Sequence, residues 1–163
     1  MPPLPDHMRP LREADQTAAE ALLRAAFPGP QEAALVRALR LSGAMELEMV
    51  LPDETGGLAG YLALSRMVAP VGWLALAPVA IAPGWQGKGL GRRLVSAVIR
   101  LTAIKGQTVV VLGPPAFYSR CGFSTPRAAA LTSPYPIHNT LIARQGEDVP
   151  AATLRYPADF TGL

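Results

Sequence analysis

The stretch with the most evident chemistry is Gln86-Gly87-Lys88-Gly89-Leu90-Gly91-Arg92. Three glycines in five positions let the main chain bend back and approach a ligand closely, because no Cβ stands between backbone and guest. An amphipathic run follows, so a helix starting here aims its unpaired N–H groups and the positive end of its dipole at one point. Lys88, Arg92 and Arg93 add formal positive charge at that end. The guest that such a loop suits is a phosphate or pyrophosphate.

Two common phosphate loops are excluded by spacing. A Walker A loop needs Gly-x-x-x-x-Gly-Lys and then Ser or Thr; here Ala82 stands at the first position and Gly89 at the last. A dinucleotide fingerprint needs Gly-x-Gly-x-x-Gly, and Arg92 occupies the place of the third glycine. What remains is Gln-x-x-Gly-x-Gly after a strand and before a helix.

The elements that position this loop follow from periodicity. Met8 to Arg12 reads as a short edge strand, and Asp15 as the N-cap of a helix over Gln16 to Phe27. Pro28-Gly29-Pro30 separates it from a second helix, Gln31 to Leu41. Met45 to Leu51 alternates around Glu46 and Glu48 as a half-exposed strand does; Pro52 to Gly57 is a turn, and Leu58 to Met67 returns. Val71 to Ile81 reads as a strand buried on both faces, but Pro78 cannot donate to a ladder, so a bulge or a splayed edge is predicted there. From Gly89, Leu90, Leu94, Val95, Val98, Leu101 and Ile104 form a helical stripe that Gly106 stops. Thr108 to Leu112 is a further strand, completing a strand, loop, helix, strand crossover. Ala116 to Cys121 is a short helical turn, and beyond Ser124 only Thr140 to Ala143 and Ala152 to Tyr156 look strand-like.

Length and composition bound the rest. At 163 residues and half apolar, the chain is expected to form one domain, residues 1–163, with a substantial core. A net charge of +3, without a long run of like charge, gives no support to nucleic-acid binding. One cysteine, Cys121, cannot form an internal disulfide, and with His7 and His138 it lacks metal-ligand spacing, so no metal is expected. The prolines and Asp6 near the N-terminus do not read as a signal peptide, and Pro70, Pro78 and Pro83 make the uncharged run after Arg66 a poor membrane helix. A cytoplasmic protein, monomer or homodimer, is the expectation.

Two motifs in order carry a resemblance to a known family. Leu76 to Gly91, ending in the glycine loop, and Phe117-Tyr118-Ser119-Arg120-Cys121-Gly122-Phe123 together resemble the GNAT superfamily of N-acetyltransferases. Leu112 to Arg120 and the tail Arg155-Tyr156-Pro157-Ala158-Asp159-Phe160 resemble a bacterial subgroup of predicted acetyltransferases. The resemblance implies an α/β (α+β) fold, with a mixed, mostly antiparallel sheet splayed near Pro78 and helices on both faces. It implies acetyl-CoA as cosubstrate and transfer of the acetyl group to a primary amine of a small molecule, peptide or protein. The cofactor-binding residues it implies are Val79, Ala80 and Ile81 along the pantetheine arm, and Gln86, Gly87, Lys88, Gly89, Leu90, Gly91 and Arg92 around the pyrophosphate. Tyr118 is implied to protonate the departing thiolate, although as a residue it also reads as a core tyrosine.

The chain departs from the family pattern in two places. Val111 stands where many members carry asparagine, and Leu74 to Ala82 contains no acid to serve as base. Glu46 and Glu48 are the acids on a neighbouring predicted strand, and a solvated strand face explains them equally well. These departures keep open a CoA-binding module with weak catalysis; an acyltransferase with a longer acyl donor is a further alternative. Trp73 and Trp85 each read either as packing residues or as walls of the cleft.

Overall fold

A hairpin sets the frame of the sheet in the computed structural model, which describes residues 7–161. The reading of the N-terminal prolines and Asp6 lies outside those residues. β2 (Met45–Pro52) and β3 (Leu58–Arg66) pair antiparallel. Asp53 fastens the turn between them by accepting the N–H groups of Thr55 at 2.8 Å and Gly57 at 3.0 Å. β1 (Arg9–Pro10) is shorter than the predicted edge strand and borders β2; β4 (Leu74–Ile81) borders β3 on the other side.

Among the described residues six strands form one sheet in the order β1-β2-β3-β4-β5-β6, with β5 at Val109–Leu112 and β6 at Thr140–Ala143. Of these six strands only β4 and β5 pair in parallel, joined by α3 (Leu90–Ile104). The fold is therefore of the predicted α/β class, with a mixed and mostly antiparallel sheet. The uncharged run after Arg66 is divided between bends and β4, and among the described residues no helix is long and apolar enough to cross a membrane.

Strand alternation sends successive side chains to two different helical layers. Leu62, Leu64, Leu74, Leu76, Val109, Val111 and Leu141 pack against Leu94, Val95 and Val98 of α3. On the opposite face, Val50, Tyr61, Ala63 and Ala80 pack against Ala19, Leu22 and Leu23 of α1 (Gln16–Ala26). Ala75, Val110 and Ile142 pack beneath Leu35 and Leu39 of α2 (Gln31–Ser42), together with Leu154 and Phe160 of the tail. Each leucine buried this way contributes on the order of 2 kcal/mol.

Two local expectations are corrected. Asp15 does not cap α1: its carboxylate is held by Arg9 at 2.6 Å and by the Arg12 N–H at 2.8 Å, so helical geometry begins in a tight turn at Glu13. An ion pair with the edge strand has outcompeted the cap. The tail from Ala152 to Tyr156 forms single bridges, Thr132 with Thr153 and Ala69 with Arg155, rather than a strand. Its segment passes over the α2 layer, and the sheet's ladder ends at β6.

Candidate active site

β4 changes partners along its length. Leu74, Ala75 and Leu76 pair with Arg66, Ser65 and Leu64 of β3 on one side and with Val109, Val110 and Val111 of β5 on the other. At Ala77-Pro78 a bulge sets two residues of β4 against Ala63, between the pairs Leu62↔Val79 and Leu64↔Leu76. The ladder with β5 ends at Leu76↔Val111 and the two strands part, as the position of Pro78 predicts.

The bulge also reverses which residues face the gap. The Ala82 N–H donates to the Ala59 carbonyl at 2.9 Å, which makes Ala82 a hydrogen-bonded partner of β3, and by alternation Ala80 is one too, opposite Tyr61. The N–H and C=O groups of Val79 and Ile81 therefore point away from β3, into the fork that β5 has left. The Ile81 carbonyl takes a hydrogen bond there from the Gln86 side chain at 3.0 Å. Side chains follow the same reversal: Val79 and Ile81 pack on the α3 side, Ala80 in the α1 layer.

The glycine loop lies at the end of this fork. Gly87 and Gly89 have φ of +77° and +80°, a region that a side chain makes costly. Gly89 is the N-cap of α3, and the first turn closes with the Arg93 N–H on the Gly89 carbonyl at 3.2 Å. The N–H groups of Leu90, Gly91 and Arg92 precede that first bond, so they have no acceptor within the helix. A Cβ at Gly91 would meet the Phe117 ring at 3.4 Å, an ordinary contact.

A cleft of about 460 Å³ joins loop and fork. Val79, Ile81, Gln86, Gly87, Gly89, Leu90, Gly91, Arg92 and Tyr118 line it, which brings together most of the residues singled out from the sequence. Ala80 and Lys88 are not in its wall: Ala80 is directed to β3 and the α1 layer, and Lys88 is a half-buried loop residue outside the lining. Trp85 resolves as a wall residue, while Trp73 lies elsewhere under the Arg144 guanidinium, 5.4 Å from its ring centre. Pro114 and Phe117 complete the wall and were not assigned from the sequence. The signal for Phe117 was its place beside Tyr118 on α4 (Pro115–Tyr118).

Tyr118 is held by its neighbours. Its ring meets Phe117 and Phe123 edge to face, with centroids 4.9 and 5.7 Å apart, and rests on Gly113, where any Cβ would lie 2.5 Å from the ring. Burial, reinforced by Cys121, pushes the phenol up to about 12, so it stays protonated at neutral pH. Cys121 is a buried core residue whose thiol burial also pushes up. His7 and His138 are exposed, and among the described residues no His, Cys, Asp and Glu cluster could hold a metal ion.

The charges around the cleft are one-sided. Arg92, Arg93, Arg100 and Arg120 line an adjoining hollow of about 450 Å³, and none has an ion-pair partner among the described residues. Among the described residues no acid lines the cleft. Glu46 is engaged by Arg66 at 2.6 Å, and Glu48 by Arg40 at 2.6 Å and the Tyr61 hydroxyl at 2.6 Å, so both strand acids are accounted for structurally. Val111 is buried under α3, where it cannot contact a ligand in the cleft.

Comparison with known proteins agrees with this geometry. A family model described as an acetyltransferase (GNAT) domain matches residues 46–125. An uncharacterized N-acetyltransferase of Escherichia coli, YhbS, is 38% identical over 113 residues, 67% of this chain and 68% of its own length. The crystal structure of Escherichia coli YhbS in complex with CoA superposes with a TM-score of 0.88 at 31% identity, over 98% of this chain and 94% of that one. A GNAT family acetyltransferase from Brucella melitensis in complex with acetyl-CoA gives a TM-score of 0.79 at 28% identity, over 94% and 97% of the two chains.

Proposed function

Because the chain belongs to the GNAT family of acetyltransferases, we propose that it holds acetyl-CoA in the fork between β4 and β5 and transfers the acetyl group to a primary amine. One observation carries this reading: the outward-facing edge of Val79 and Ile81, the glycine loop and Tyr118 converge on a single cleft. The amide groups of a pantetheine arm can pair with that edge as an added strand would. The pyrophosphate suits the N–H groups at the start of α3, with Arg92 beside them.

Chemistry follows from what these groups can do. An N–H of Val79 or Ile81 polarises the thioester carbonyl and stabilises the oxyanion that forms when the amine attacks. Tyr118, a phenol protonated at neutral pH that burial keeps so into alkaline pH, gives a proton to the sulfur as the carbon–sulfur bond breaks. Most of the rate enhancement comes from holding amine and thioester together. The lack of an acid among the described residues lining the cleft favours one rival, a CoA-binding module with weak catalysis.

Calorimetry with acetyl-CoA and release of CoA thiol across a panel of amines, amino acids and peptide N-termini test both readings. Micromolar binding with amine-dependent thiol release is expected. Tight binding with no release under any amine would leave only the module, and absence of binding would sink both. Propionyl- and butyryl-CoA in the same assay define the acyl length.

A further inference from the structure

We infer that Glu32 receives the acceptor's ammonium and takes its proton, from the sheet face opposite the glycine-loop cleft; this rests on the acetyl transfer proposed above. The first ground is elimination. Asp15, Glu20, Glu46, Glu48 and Asp148 are held by arginines, Asp53 by its own turn and Asp159 by Ser42. Glu13, Glu54 and Glu147 are exposed. Glu32 alone among the described acids is half-buried with one oxygen, Oε1, shielded from solvent and without a hydrogen-bond partner among the described residues. An unmatched buried carboxylate oxygen is costly, and a site that binds a cation is a reason to retain one.

Placement is the second ground. Leu35, Val36 and Leu39 lie three, four and seven residues after Glu32 and are buried against the sheet, so Glu32 is on the same face of α2, one turn closer to its start. α2 ends at Gly43, next to Met45, which pairs with Ser65; that is the end of the sheet where β4 begins. The first turn of α2, roughly 15 Å back along its axis at 1.5 Å per residue, therefore lies toward the end where β4 and β5 part. Phe27, just before α2, packs in one cluster with Ala80 and Ala82, which fixes that end independently.

Charge supplies the direction of approach. The cleft under α3 presents Arg92 with Arg93, Arg100 and Arg120 close by, which repel an ammonium. The opposite face offers Glu32. The Tyr156 hydroxyl is shielded from solvent beside Ser133 and borders a hollow of about 530 Å³ lined by Tyr135, Leu154 and Phe160. Tyr156 packs in the same layer as Leu35 and Ala77. The other ionisable groups on this face include Arg40 with Glu48 and Tyr61, Arg24 and Arg37 with Glu20, Asp159 on Ser42, and Tyr135.

The proton balance is complete. The ammonium R–NH3⁺ gives a proton to the Glu32 carboxylate; the amine nitrogen then bonds to the acetyl carbon as the carbon–sulfur bond breaks. Tyr118 protonates the sulfur and regains a proton from the nitrogen. Glu32 releases its proton to solvent, so one proton, CoA thiol and the acetamide leave.

The test uses the full chain with acetyl-CoA and two probes, n-butylamine and tyramine. Glu32→Gln should lower kcat/KM for both amines at least tenfold at pH 7, with the acetyl-CoA dissociation constant unchanged within twofold. The deficit should shrink toward pH 9.5, where more of the amine is neutral, and Glu32→Asp should recover part of the activity. The melting temperature of Glu32→Gln should equal or exceed that of the parent, because an unmatched charge is removed. Undiminished kcat/KM in Glu32→Gln, or a melting temperature several degrees lower, would overturn the assignment. A parent protein that binds acetyl-CoA but acetylates neither amine would overturn it as well, whereas a parent that does not bind acetyl-CoA would overturn the cosubstrate reading beneath it.

Discussion

The first half of β4, Leu74–Leu76, is bonded on both sides, to β3 and to β5, whereas its second half, Val79–Ile81, is bonded to β3 alone. The two halves are similar in composition, and both pack side chains against α3 and the opposing layer, with Val79 and Ile81 only half-buried at the cleft. What separates them is one proline and one bulge, which withdraw a partner strand and leave backbone groups facing a cleft. In the first half the sheet spends its hydrogen bonds on stability; in the second it keeps some for a ligand. The loop that follows extends the same device, since Gly87 and Gly89 take positive φ and put main chain without a Cβ into the wall of the cleft.

That contrast can be broken at several points. The largest effect is expected from Gly89→Val, which places a branched side chain at φ +80° and should abolish the thermal shift caused by acetyl-CoA. A retained shift would mean that the loop does not hold the pyrophosphate. Tyr118→Phe removes the proton donor and leaves the ring packing, so turnover should fall about 100-fold with acetyl-CoA affinity unchanged. Steady-state kinetics beside calorimetry check this, and full activity would remove Tyr118 from the mechanism.

Glu48→Ala sharpens the contrast from the structural side. Arg40 and Glu48 are partly buried, with 21% and 11% of their side-chain surface exposed, so losing the pair should cost about 2 kcal/mol of unfolding free energy in a denaturant titration. Acetyl-CoA binding by the folded variant should be unaffected. A smaller effect is expected from pH. A phenol raised to about 12 stays loaded where an ordinary tyrosine, near 10, would deprotonate, so kcat should hold through pH 10.5. The same shift subtracts from stability only above pH 10, because the unfolded phenol then ionises first. Gly91→Ala should be the mildest change: its Cβ would meet the Phe117 ring at 3.4 Å, and about a twofold loss in acetyl-CoA affinity is expected.

Most of the elements were legible in the sequence because helices and turns are local. The stripe from Leu90 to Ile104, the stop at Gly106 and the hairpin closed by Asp53 each depend on residues a few positions apart. Asp15 shows where that locality fails: its cap position was correct for an isolated helix, but Arg9 on a neighbouring strand took the carboxylate. The tail failed for a related reason: Ala152 to Tyr156 looks strand-like, but what it pairs with lies far away in the chain, and it makes only single bridges to Ala69 and Thr132.

By itself the sequence determined the glycine loop, the break at Pro78 and the order of strand, loop, helix and strand, since these rest on φ preferences, a missing N–H and short-range periodicity. Only the tertiary structure decided which backbone groups face the fork. A bulge of one residue exchanges the two sides of a strand, so Val79 and Ile81 open toward the cleft while Ala80 turns to β3. The same is true of the acids: Glu48 and Glu32 are both ordinary glutamates in the chain, and folding gives one an arginine and a tyrosine while leaving the other with a buried, unmatched oxygen.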